Sequence, residues 1–171
     1  MGSRGHTARR AYELVERLRK AIPDIVIRTT FLVGHPGETE EAYQRLTDFV
    51  RQTELDRVGI FTFSSEEGTV SAELSEAVPA ATAKKRRTAL LRLQRGISKR
   101  RQASMVGREI EVLVDGVSDE SEYLLEGRWY GQAPGIDGTT YLADGRVPAG
   151  SLVKARVTQA SDYDLAATLE L

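Results

Sequence analysis

The sequence predicts an α/β segment joined by a long helix to a small all-β barrel of the OB type. Three observations carry this expectation. An apolar run, Ile25–Val33, leads through a Gly-containing loop and an amphipathic stretch to a second run, Val58–Phe63. A basic helical stretch fills roughly residues 81–104. From Gly107 onward the apolar period changes to two, with glycines between the runs.

The elements follow in chain order. Residues 7–22 read as a helix, because Ala11, Leu14, Val15, Leu18 and Ile22 share one face. Thr7 is its expected N-cap and Pro23 its stop. Ile25–Val33 is rich in β-branched residues and ends at Gly34, the pattern of a parallel strand buried on both faces. Gly34–Thr39 is a tight loop. A helix from Glu40 to Gln52 shows Ala42, Tyr43, Leu46, Phe49 and Val50 on one face, capped by Thr39. Val58–Phe63 completes a βαβ unit. One such unit closes no barrel, so the segment reads as the tail end of a larger α/β domain. Ser64–Ala81 reads as a loop. The helix at 81–104 buries Leu90, Leu93 and Ile97, and holds no acid between Ala83 and Ala103. Strands are expected near 108–117, 122–130, 139–143, 151–160 and 163–170, separated by Gly116, Gly131, Gly138, Gly145 and Gly150. The division is thus 1–80, a connector at 81–104, and 105–171.

The 171 residues contain no Cys and two His. Disulfides, thiolate nucleophiles, Cys-ligated zinc and a self-held iron–sulfur cluster are excluded. No run approaches the ~18 apolar residues of a membrane span. The N-terminus has no apolar signal core, which points to the cytoplasm. The net charge of −1 conceals an asymmetry. Residues 1–106 carry 19 basic and 13 acidic residues, net +6, whereas residues 107–171 carry 5 and 12, net −7.

The loop Gly34–Thr39 is the first candidate site. It follows a parallel strand, where α/β folds place ligands, and precedes a helix N-terminus that favours anions. The plainer alternative is a βα turn whose Gly and Pro only set backbone angles. His35 is a proton carrier, a ligand or simply an exposed loop residue; His6 has a weaker case near the terminus. Glu66 and Glu67 are adjacent in an extended stretch and point apart. Tyr43, Phe49, Trp129 and Tyr130 read as core or half-buried aromatics. The basic helix at 84–101 (Lys84, Lys85, Arg86, Arg87, Arg92, Arg95, Lys99, Arg100, Arg101) either contacts RNA or is a solvated helix that also docks on an acidic surface.

Taken together, these residues resemble a family. Arg28-Thr29-Thr30-Phe31-Leu32-Val33-Gly34-His35-Pro36-Gly37-Glu38-Thr39 is similar to a strand and loop of the radical S-adenosylmethionine methylthiotransferases, which usually have Phe at the place of His35. Phe61-Thr62-Phe63-Ser64 with Glu67-Gly68-Thr69 resembles their next strand and exit loop. The last 65 residues resemble a TRAM domain. Ala133-Pro134-Gly135-Ile136-Asp137-Gly138 is similar to the signature of the branch that modifies a ribosomal protein, with Gly135 in place of Glu.

The resemblance implies a partial (β/α) barrel segment joined by a helix to a TRAM barrel. It implies S-adenosylmethionine as cofactor, met by Leu32, Gly34, Pro36, Gly37, Glu38 and Phe63, with Arg28 for its carboxylate or for a buried acid. It implies two 4Fe-4S clusters in full-length members, neither held by this chain, and a missing N-terminal part as partner. The expected reaction is methylthiolation of an aspartate on small-subunit ribosomal protein twelve. The negative charge of the barrel has two readings: its acids, Asp115, Glu120, Glu126 and Asp137 among them, dock that basic protein, or they only keep the barrel soluble. Asp119, Glu122, Asp144, Asp162 and Asp164 add to the same field. A tRNA-modifying relative and a non-enzymatic RNA-binding module are the alternatives. No catalytic or metal-ligating residue is expected in the chain itself.

Overall fold

The computed structural model describes residues 8–143 and 146–170. His6, Thr7, Asp144 and Gly145 lie outside the described residues. The chain divides into two compact units, Met1–Ile97 and Ser98–Leu171.

The first unit contains α1 (Ala8–Ala21), β1 (Arg28–Val33), α2 (Glu40–Thr53), β2 (Arg57–Thr62), a 3-10 turn (Val70–Glu73) and most of α3 (Ala80–Ala103). β1 and β2 pair in parallel, from Arg28 beside Arg57 to Val33 beside Thr62. The Thr39 side chain accepts from the Ala42 N–H at 3.2 Å and caps α2, whose first turn carries Glu40 and Glu41. Val33, Val50, Ile60, Leu90 and Ile97 form the core, with Phe31, Tyr43, Leu46 and Val58 against it. Phe49 meets Tyr12 and Phe31 edge to face, at centroid distances of 4.8 and 6.0 Å.

The expected strand Ile25–Val33 begins at Arg28 and is not buried on both faces. Phe31 and Val33 turn to the helix-covered core, while Arg28, Thr30 and Leu32 are exposed. The cause is the two-stranded sheet: helices pack on one side only, so alternate residues remain in water. In register on that open side stand Leu32 and Phe61, 38% and 57% exposed.

The second unit is a closed barrel in the order β3-β4-β5-β7-β6. Its strands are β3 (Glu109–Ser118), β4 (Ser121–Arg128), β5 (Thr140–Ala143), β6 (Leu152–Ala160) and β7 (Leu165–Leu169). β5 and β7 are parallel and the other pairs antiparallel, with β6 returning onto β3. Alternate residues fill the interior: Ile110, Val112, Val114, Leu125, Leu142, Ala155, Val157, Leu165 and Ala167. The last turns of α3 belong to this unit. There Ser98 donates to the Asp162 carbonyl at 2.7 Å, and Gln102 donates to the Tyr163 carbonyl.

Candidate functional site

β1 delivers the chain to Gly34, in the left-handed region at φ 79°. A Cβ there would lie 2.5 Å from the Cβ of Ala83, so α3 itself requires glycine at this position. The turn closes through the Glu38 N–H, which donates to the His35 carbonyl at 2.9 Å. Gly37, at φ 81°, donates its N–H to the Glu76 carbonyl at 2.8 Å.

Glu38 is turned inward. One carboxylate oxygen accepts from the Gly34 N–H at 3.1 Å, and the other meets the Arg86 guanidinium at 2.6 Å. The side chains of Glu38 and Arg86 are 11% and 8% exposed. Arg86 also reaches the Glu38 carbonyl at 3.2 Å and the Glu40 carboxylate at 2.8 Å. Its guanidinium lies over the Tyr43 ring, 5.1 Å from the centroid. The Glu40 carboxylate, then Glu38, raise the Arg86 pKa against the opposing effect of burial.

The ends of β1 and β2 open on a cavity of about 770 Å³, lined by Gly34, Pro36, Phe61, Phe63, Lys84 and Arg87, among others. One His35 ring nitrogen lies 2.8 Å from the Pro36 carbonyl and the other 3.0 Å from the Ser71 hydroxyl. The ring meets Phe63 edge-on at 5.1 Å. His35 thus ties the loop to the 3-10 turn. Arg87 donates to the Ile60 carbonyl at 2.9 Å.

The structure brings Gly34, Pro36 and Phe63 together at this cavity. Gly37 and Glu38 line a smaller adjoining pocket with Arg86 and Glu76. Leu32 stands on the open sheet face, and Arg28 is at the far end of β1, about 16 Å along the strand at ~3.3 Å per residue. Arg28 lines an apolar groove with Leu14, Phe31 and Phe49 instead. In the sequence Arg86 is one of nine cations on a helix that either contacts RNA or is solvated. Its partner is 48 positions away, and no local pattern marks such a pair.

On the barrel, Asp115 forms an ion pair with Arg128, and Asp137 accepts the Ala133 N–H at 2.8 Å. Asp164 accepts the Thr139 N–H at 2.9 Å. These acids serve their own loops and strands. Glu120 accepts from the Tyr141 hydroxyl at 3.1 Å, and Glu126 stands beside Tyr141 across the β4–β5 ladder. Asp119, Glu120 and Glu122 are exposed nearby on the β3–β4 turn and β4.

Residues 106–169 match the TRAM domain family, so the closed barrel is a TRAM barrel. The whole chain is similar to ribosomal protein uS12 methylthiotransferases RimO. It is 52% identical over 166 residues to that of Sorangium cellulosum, covering 97% of this chain and 34% of the relative. Identity is 44% over 169 residues with that of Syntrophobacter fumaroxidans, covering 99% and 38%. With that of Aquifex aeolicus it is 41% over 164 residues, covering 95% and 38%. Over nearly its whole length the chain thus matches a C-terminal part of RimO proteins. It spans about a third of the length of these relatives.

The family implies S-adenosylmethionine and iron–sulfur clusters. With no cysteine, this chain offers no thiolate to a cluster. No group of three or more His, Asp or Glu among the described residues is placed to hold a metal ion. The cavity does fit S-adenosylmethionine in kind: it is roomy, has aromatic walls at Phe61 and Phe63, and carries cations at Lys84 and Arg87. No helix among the described residues is long and apolar enough to cross a membrane.

Proposed function

We propose that this chain is the C-terminal part of a radical S-adenosylmethionine methylthiotransferase acting on an aspartate of ribosomal protein uS12. The observation that carries the proposal is the 52% identity with a uS12 methylthiotransferase across 97% of the chain. In this reading residues 1–80 are the last part of a (β/α) barrel, 81–104 the connector and 105–171 the TRAM domain. The helix-free face of the parallel pair supports it, since a barrel's strands carry helices outside and other side chains within.

S-adenosylmethionine supplies the radical chemistry when bound to the complete enzyme. The residues of this chain supply one wall of its pocket. Gly34, Pro36 and Phe63 line it, Gly37 and Glu38 shape the loop beneath, and Lys84 and Arg87 offer cations to a carboxylate. That last role passes from Arg28 to these two residues, which are at the cavity. The cluster cysteines belong to the rest of the enzyme, so this chain by itself is inactive.

The barrel docks the protein substrate. Asp119, Glu120, Glu122 and Glu126 give β4 and its turn a negative charge beside Tyr141. Such a charge steers a Lys- and Arg-rich protein and repels phosphate. Titration of the full chain with uS12 and with a tRNA at physiological salt tests this. Binding of uS12 that weakens at least about tenfold in a Glu120→Gln, Glu126→Gln variant is the expected result. Tighter binding of the tRNA, through the basic residues of 84–101, would move the chain to the tRNA-modifying branch. Both partners would be met in the cytoplasm.

A further inference from the structure

We propose that Arg86 is the positioning residue of the Gly34–Thr39 loop, fixing through Glu38 the backbone that meets S-adenosylmethionine. The inference rests on the cofactor reading above and adds to it a residue of the connector helix.

Four contacts converge on this one guanidinium. It pairs with the Glu38 carboxylate at 2.6 Å, bonds the Glu38 carbonyl at 3.2 Å and pairs with Glu40 at 2.8 Å. It also covers the Tyr43 ring, while the Tyr43 hydroxyl donates back to the Arg86 carbonyl at 3.3 Å. The second Glu38 oxygen then holds the Gly34 N–H at 3.1 Å. A relay results, from α3 through Arg86 and Glu38 to the backbone of Gly34, which lines the cavity.

Only arginine suits this relay. Its planar fork addresses Glu38 with one nitrogen and Glu40 with another, whereas a lysine ammonium is a single point charge. Loss of Arg86 leaves the buried Glu38 carboxylate without its counter-charge. The carboxylate then turns to water, and the Gly34 N–H loses the acceptor that fixes it. The consequence falls on loop conformation, at the wall where the cofactor is expected.

A staple that only adds stability is the competing account, and Gln94 separates the two. Gln94 is another buried anchor of α3, donating to the Leu55 carbonyl at 2.8 Å, and it does not line the cavity. Amide hydrogen exchange is measured on the full chain for wild type, Arg86→Met, Arg86→Lys, Glu38→Gln and Gln94→Met. Arg86→Met is expected to speed exchange across Gly34–Thr39 at least about tenfold beyond its effect on β2, with Arg86→Lys intermediate. Gln94→Met is expected to lower the melting temperature without that local effect. If Arg86→Met does not fold, Glu38→Gln, which keeps the side chain's size and removes its charge, gives the same reading.

The same variants are then placed in an enzyme whose remaining two thirds come from the Sorangium cellulosum relative. The Kd for S-adenosylmethionine is expected to rise about tenfold in Arg86→Met and to stay within about twofold in Gln94→Met. Unchanged exchange at Gly34–Thr39 in both Arg86→Met and Glu38→Gln overturns the proposal. So does an equal rise in Kd for Gln94→Met. If the unsubstituted enzyme binds no S-adenosylmethionine, the cofactor reading falls, and the exchange data still decide whether Arg86 sets the loop.

Discussion

The Cβ of Ala83 stands where a side chain on Gly34 would begin, 2.5 Å from the position such a Cβ would take. This contact lets α3 lie directly on the βα loop. The glycine that reads in the sequence as an opening for a ligand is thus first an opening for a helix. Gly34→Ala combines the clash with a left-handed backbone, and an expected cost of about 2–4 kcal/mol follows. Gly68→Ala has a similar φ of 78° but nothing within 4 Å, and its expected cost is about 1–2 kcal/mol. Urea unfolding of the two variants checks the difference.

Gly138 closes the Ala133–Gly138 segment against the chain that enters β7, the parallel neighbour of β5. A Cβ on it would come within 2.2 Å of the Tyr163 carbonyl oxygen, a backbone atom that no rotamer change can move. Gly138→Ala is expected to destabilise the barrel by about 2–4 kcal/mol, the upper range for overpacking. The unfolding midpoint followed through Trp129 fluorescence reads this directly.

Tyr141 reports on the acidic face. Burial first, then the hydrogen bond to Glu120 and the nearby carboxylates, raise its pKa above the ordinary value. The folded chain therefore keeps the phenol proton to higher pH than the unfolded chain. The stability linked to it is present below about pH 10 and lost as pH rises through the folded value. Glu120→Gln is expected to lower the Tyr141 pKa, while burial keeps it above normal. Carbon NMR of the tyrosine ring against pH is the measurement.

Leu32 and Phe61 stand side by side on the open face of a two-stranded sheet. An exposed apolar sheet face invites association with other chains. The full chain is expected to associate with rising concentration, and Phe61→Lys to reduce that association. Light scattering over a concentration series checks it; equal association in both proteins would contradict it.

Much of the architecture is written in local periodicity. The helix–strand–loop order of the first unit and the five strands of the second lie within a few residues of their expected bounds. Burial is less legible. Ile25–Val33 has the composition of a strand covered on both sides, but coverage depends on neighbours that a strand's own residues do not encode. The site shows the same division. Gly34, Pro36 and Phe63 meet at one cavity, as their positions after parallel strands imply. Arg86 looked like one more cation on a polar helix, because its burial depends on Glu38, far away in sequence. The acids looked uniform, yet Asp115 and Asp137 are engaged within the barrel while Glu120 and Glu126 border Tyr141.

Replacing the matched C-terminal segment of the Sorangium cellulosum relative with this chain tests the functional reading most directly. The joined enzyme, with its clusters reconstituted, is given S-adenosylmethionine, a sulfur source and uS12, and the mass of uS12 is measured. A methylthio group on one aspartate is the expected result. A folded, cluster-loaded enzyme that leaves uS12 unmodified, while the unaltered relative modifies it, would contradict the reading.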